Sequence, residues 1–154
     1  MARCDLRIAI DSSVLVALIN PRDVWRERAL ALHNAMLATG NDLLYFDCVV
    51  AESVSAAVRR LYEKGRTDKV EALLDRLGER VPHDTITWIL PDTPRLYPDA
   101  LELIRSSSGA MNFNDALIAL ACQERDIPAI ASFDDDFDAL PWLRRLAQPE
   151  DVTP

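Results

Sequence analysis

Several carboxylates in this chain stand where apolar segments end, and their surroundings suggest chemistry. In Arg7-Ile8-Ala9-Ile10-Asp11-Ser12-Ser13-Val14-Leu15-Val16-Ala17-Leu18-Ile19, one carboxylate interrupts an almost wholly apolar run. Residues 8–10 read as a short buried strand and residues 14–19 as the first turns of a helix. Asp11 therefore sits at the C-terminal end of a strand, where open α/β sheets bind their ligands. The context returns late in the chain, where the apolar run 127–131 is closed by Ser132-Phe133-Asp134-Asp135-Asp136-Phe137-Asp138. Two further acids, Glu52 and Asp115, fall near the starts of helices. If these four meet, they repel one another by roughly 3 to 4 kcal/mol per close pair at an effective dielectric near 20, so a cation must offset them. His33 and His83 have no partner at ligand spacing, and with oxygen donors alone the matching ions are Mg²⁺ or Mn²⁺. Each acid also has a structural explanation. Asp11, Ser12 or Ser13 can cap the helix that follows, Glu52 suits a helix dipole, and the run 134–138 can be a solvated turn. Asp115 differs, because Asn112 or Asn114 is available as the cap and leaves its carboxylate free.

The elements that position these residues follow from periodicity. Trp25, Ala29, Leu32 and Met36 mark an amphipathic helix that closes at Gly40, and residues 42–46 form a strand. A helix over 49–62 ends before Gly65, and another covers 67–80 with Val70, Leu73, Leu74 and Leu77 inward. Residues 85–90 alternate as a strand stopped by Pro91. Pro94 and Pro98 suit the start of a helix that runs to the loop 106–109. The helix opening near Asp115 is apolar on nearly every face and must be buried. Strands alternating with helices predict a mainly parallel sheet with helices on both faces, and its strand ends bring the four acids to one edge. Core packing is the expectation for Trp25, Trp88 and Trp142, which show no interleaving with basic residues.

Composition narrows the classes. A chain of 154 residues with 49% hydrophobic and 27% charged residues is expected to form one soluble domain. Cys4, Cys48 and Cys122 are an odd, scattered set suited to a reducing cytoplasm, and no membrane-spanning stretch is visible. The net charge of −8, from 17 basic and 25 acidic residues, argues against broad affinity for nucleic acid, so any polyanion must be met locally. Two basic patches exist for that purpose or for an acidic protein segment, one with Arg22, Arg26 and Arg28 and one with Arg59, Arg60, Lys64, Arg66 and Lys69.

At these residues the sequence resembles the PIN-domain ribonucleases, and among them the VapC-like toxins of bacterial toxin–antitoxin pairs. The resemblance spans nearly the whole chain. It is carried by Ile10-Asp11-Ser12-Ser13-Val14-Leu15, by Glu52 opening an early helix, by Asn114-Asp115-Ala116-Leu117-Ile118, and by the run 132–138. It implies a PIN-like three-layer α/β sandwich over residues 1–147, followed by a polar tail at 148–154. It further implies a cytoplasmic, Mg²⁺- or Mn²⁺-dependent endoribonuclease in which Asp11, Glu52, Asp115 and Asp134 form the acidic quartet. Ser12 and Ser132 would support it, and Asp136 is the neighbouring alternative to Asp134. The partners implied are an RNA substrate, a cognate antitoxin and a second copy in a homodimer. The other classes left open are a PIN-like protein-binding module without catalysis and a phosphohydrolase with Asp11 as nucleophile. The latter lacks a second aspartate two residues on, where Ser13 stands.

Overall fold

The computed structural model describes residues 5–152, so Cys4 and the last two residues of the expected tail lie outside them. The strands are β1 (Arg7–Ile10), β2 (Asp42–Phe46), β3 (Ile86–Thr87), β4 (Ala129–Ala131) and β5 (Arg144–Leu146). The helices are α1 (Ser12–Ile19), α2 (Arg26–Ala38), α3 (Asp47–Glu63), α4 (Val70–Arg80), α5 (Thr93–Ser106) and α6 (Phe113–Glu124). All strand pairs are parallel, in the order β3-β2-β1-β4-β5. Successive strand residues point to opposite faces, so the burial of every residue in 8–10 and 129–131 requires cover on both faces. Two helix groups supply it, α1 packed with α2, α3 and α4, and α5 packed with α6.

Register sets the site. Ile10 pairs with Ala131, and the ladder continues one step further through the Asp11 amide to the Ala131 carbonyl at 3.0 Å. Ser132 extends β4 toward β5 through its amide to the Leu146 carbonyl at 3.1 Å. The residues that follow the two central strands are thereby held side by side.

Several elements differ from expectation for local physical reasons. The strand expected over 85–90 shrinks to Ile86–Thr87, and a 3₁₀ turn, Leu90–Asp92, follows it. The cause is Asp47, a buried carboxylate whose Oδ1 and Oδ2 accept the Ile89 and Leu90 amides at 3.0 Å each. These amides are drawn to α3 and away from a ladder. Asp47 also starts α3 two residues earlier than the apolar pattern predicted, and this moves Glu52 out of the first turn. Pro98 lies inside α5, where it costs a backbone hydrogen bond, instead of at its start. Trp25 and Trp88 are exposed, and Trp142 packs against the core with its indole N–H donating to the Ala119 carbonyl. Residues 149–152, expected within a polar tail, form a 3₁₀ turn against α2 that buries Val152. Asp151 Oδ2 secures the turn by accepting the Ala147 and Gln148 amides. Among the described residues no helix is long and apolar enough to cross a membrane.

Replacing Asp47 with alanine leaves three amides, those of Cys48, Ile89 and Leu90, without their carboxylate acceptor. It is expected to lower stability by about 2 kcal/mol, read as an earlier urea midpoint with unchanged slope. Asp47→Asn, which keeps one acceptor oxygen, should lose less.

Candidate active site

Asp11 follows β1 with extended backbone and occupies the N-cap position of α1, yet its side chain makes no capping hydrogen bond. The carboxylate is instead oriented sideways. Its Oδ2 accepts the Ser132 hydroxyl at 2.6 Å and the Ser13 hydroxyl at 3.0 Å, while Oδ1 is buried and has no hydrogen-bond partner among the described residues. Only 3% of the residue is exposed. Burial raises its pKa above the ordinary carboxylate value; the Ser132 and Ser13 hydroxyls pull it back, and the nearby Asp134 charge adds to the rise. An unpartnered carboxylate oxygen in such surroundings is costly to keep charged without a cation.

Asp115 enters from the first turn of α6. Its amide is capped by Asn112 Oδ1 at 2.8 Å, so its carboxylate is not needed as a cap. The side chain is 6% exposed and its pKa is pushed up to about 7, first by burial and then by the charges of Asp11, Asp134, Glu52 and Asp136. Glu52 reaches the same place from the second turn of α3, where its Oε2 accepts from Asn114 Nδ2 at 3.5 Å. Asp134 serves two ends. Its amide donates to Ser132 Oγ at 3.0 Å, and its Oδ1 accepts the Asp136 amide at 2.9 Å as the cap of a 3₁₀ turn, Asp135–Ala139.

Asp11, Glu52, Asp115 and Asp134, drawn from four separate elements, line one cleft of about 610 Å³. Ser12 also lines it but makes no side-chain hydrogen bond to Asp11 among the described residues; that task falls to Ser13, which in turn accepts the Phe133 amide at 3.1 Å. Asp136 faces a neighbouring hollow with Asp135 instead of the cleft, and its pKa is raised chiefly by Asp134. The tightest acidic group is nevertheless Asp134, Asp135 and Asp136, whose carboxylate oxygens lie within 4.8 Å of one another; the quartet shares the cleft more loosely. Asp138 is withdrawn from the run by Arg145, which grips it through two hydrogen bonds of 2.8 and 2.9 Å and lowers its pKa. No histidine lines the cleft, and the buried thiols of Cys48 and Cys122 are pushed up to about 12.

A sequence model of the PIN domain matches residues 8–143. The chain belongs to the PIN-domain family. Its fold is similar to that of VapC20 of Mycobacterium tuberculosis, a Sarcin-Ricin loop cleaving toxin. That likeness has a TM-score of 0.66 and 20% identity over 88% of this chain and 95% of that one. It is also similar to VapBC2 of Rickettsia felis, solved bound to a promoter DNA fragment, with a TM-score of 0.63 and 16% identity over 92% of this chain and 98% of that one. No curated protein matches the sequence.

Within this PIN domain, reasoning from sequence missed Ser13 as a holder of Asp11 and Trp25 as a wall of the cleft. Ser13 was weighed only as a cap or as a missing aspartate; its spacing of two residues from Asp11 was the available signal. Trp25 is 42% exposed and lines the cleft, braced edge-on by Phe133 with ring centroids 4.7 Å apart.

Proposed function

We propose that the cleft hydrolyses RNA phosphodiester bonds with the help of a divalent cation, Mg²⁺ or Mn²⁺, and that the protein is the toxin of a toxin–antitoxin pair. The observation that carries this reading is the convergence of four carboxylates on one cleft, where Oδ1 of Asp11 is buried and unpartnered. The donor set fits a hard divalent ion, because it offers oxygen alone and carries a surplus of negative charge that burial intensifies. Asp11 and Asp115 would hold it, with Asp134 and Glu52 completing the acidic ring. Bound there, the ion would lower the pKa of the attacking water and offset charge on the leaving oxygen.

The chain's own groups do the positioning. The Ser132 and Ser13 hydroxyls fix Oδ2 of Asp11 and leave Oδ1 free to bind. Asp115, with its pKa raised to about 7, is about half protonated near neutral pH and would give up its proton to a bound cation. No cysteine lines the cleft as a nucleophile and no histidine lines it to activate a hydroxyl, and in this reading water is the attacking group. That VapC20 is a Sarcin-Ricin loop cleaving toxin on the same fold supports an RNA substrate here. An antitoxin whose arginine pairs with the carboxylates, and a two-fold dimer, are the partners this reading carries.

The test is incubation of the purified protein with structured and unstructured RNAs in Mg²⁺, in Mn²⁺ and in chelator. Cleavage with either ion and none in chelator is expected. Cleavage that persists in chelator, or RNA left intact in both ions, overturns the reading.

A further inference from the structure

We infer that a cavity between α2 and α4, at the end of α1 remote from Asp11, binds the phosphate group of a small molecule. The inference is independent of the ribonuclease reading and gives the chain a second ligand site. The cavity, of about 460 Å³, is lined by Leu18, Arg26, His33, Arg76, Glu79 and Arg80. None of these lines the acidic cleft. Asp11 precedes α1 and Leu18 stands in its last turn, so about 10 Å of helix, at 1.5 Å per residue, lies between the two sites.

Its residues come from two helices that both pack on α1. Arg26 and His33 are two turns apart in α2, and Arg76 and Arg80 are one turn apart in α4, spacings that set each pair on one face of its helix. Two of the arginines are fixed from below. Arg26 Nη1 donates to the Leu18 carbonyl and Arg76 Nε to the Ile19 carbonyl, each at 2.9 Å, and these are carbonyls that a helix end leaves without an amide. A guanidinium carries five N–H donors, so one anchoring bond orients each group and leaves most of its donors for a ligand.

Capping of α1 accounts for those two bonds and for nothing else in the cavity. Arg80 is half-buried and makes no hydrogen bond or ion pair among the described residues. None of the three arginines has a carboxylate within ion-pair reach there, Glu79 included. Three guanidinium charges against the one carboxylate of Glu79 leave a local excess of two in a chain of net charge −8. Like charges gathered without partners repel, and a bound dianion would offset that cost. His33 faces the same field. Burial first and the Arg80 charge second lower its pKa, so near neutral pH the imidazole is uncharged and adds a hydrogen-bonding group that does not repel the arginines.

The donor geometry selects the anion. A carboxylate has two oxygens in one plane and is satisfied by a single guanidinium fork, whereas a terminal phosphate presents three oxygens and close to two negative charges, matching three forks and an excess of two. The volume exceeds that of a bare anion and leaves room for the organic group that carries the phosphate.

The test is calorimetric titration of the metal-free full chain, at constant ionic strength, with ribose 5-phosphate, with inorganic phosphate and with acetate as the carboxylate control. Saturable binding of a phosphate and none of acetate is expected; whichever phosphate binds more tightly supports the site and identifies the source of the group. Arg80→Glu should abolish binding and Arg80→Ala should weaken it at least tenfold, both with the circular dichroism of the parent, because Arg80 holds nothing in the fold. Asp115→Asn, in the separate cleft, should bind as the parent does. Loss of binding in that variant places the phosphate in the acidic cleft and overturns the inference. Absence of saturable binding by the parent, or parent-like affinity in both Arg80 variants, also overturns it. Tighter binding of a glutamate-rich peptide or a short RNA than of either phosphate, lost in Arg80→Glu, assigns the cavity to a macromolecule and overturns it as well.

Discussion

Asp115→Asn and Asp11→Asn are each expected to reduce Mn²⁺-dependent RNA cleavage by a thousandfold or more, on the order of about 4 kcal/mol of lost transition-state stabilisation. The size follows from position. Outer partners of metal-binding groups cost only about 10- to 100-fold when removed, and these two carboxylates are the most buried members of the ring itself. Neither side chain is needed for the helix it precedes or opens, since Asn112 caps α6 and the Asp11 side chain caps nothing. Circular dichroism of both variants should therefore match the parent. A variant that keeps more than about a tenth of the parent rate removes its carboxylate from the reaction.

The second large effect concerns stability, and it needs no substrate. In the cation-free protein the carboxyl of Asp115 has its pKa raised to about 7, against an ordinary value of 3.8. Below the lower value the group is protonated in both the folded and unfolded chain and costs nothing. As pH rises from 3.8 toward 7 the unfolded chain ionises while the folded one resists, so stability falls across that window and levels off above it. The loss is of order a few kcal/mol, and thermal melts in chelator should show a lower Tm at pH 8 than at pH 5. Asp115→Asn should flatten this dependence and leave stability at pH 8 unchanged or higher by about 1 to 2 kcal/mol. Mn²⁺ at a hundred times its Kd should return about 2.7 kcal/mol to the parent and little to the variant. A variant clearly less stable than its parent, with neither responding to Mn²⁺, would make these carboxylates ordinary structural charges.

Much of the site was legible because its acids follow or precede apolar runs that have few ways to fold. Residues 8–10 and 127–131 are too short and too apolar for anything except buried strands, and parallel strands of one sheet end on the same side. Asp11 and Asp134 were thereby directed to one edge, and the apolar helix after Asn112 brought Asp115 with it. What stayed hidden depends on contacts between residues distant in the chain. The Asp47 carboxylate reaches amides 42 and 43 residues away, and no local pattern announces that it will cut a six-residue strand to two. Periodicity alone assigned Trp25 to the core, whereas Phe133 and Arg28 hold it at the cleft wall. Val152 looked like part of a polar tail because the partner that buries it, α2, lies more than a hundred residues earlier.

The hydrogen bond from Ser132 to Asp11 joins positions 121 residues apart, across the pairing of the first strand with the fourth. During synthesis the first strand emerges long before its central neighbour exists. Asp11 then lacks the hydroxyl that orients it, and two of its three acidic companions have not yet been made. If the cleft cuts RNA as proposed, a nascent chain is inert until residues 132–134 have been translated, so the translation machinery does not meet a finished cleft on a shorter chain.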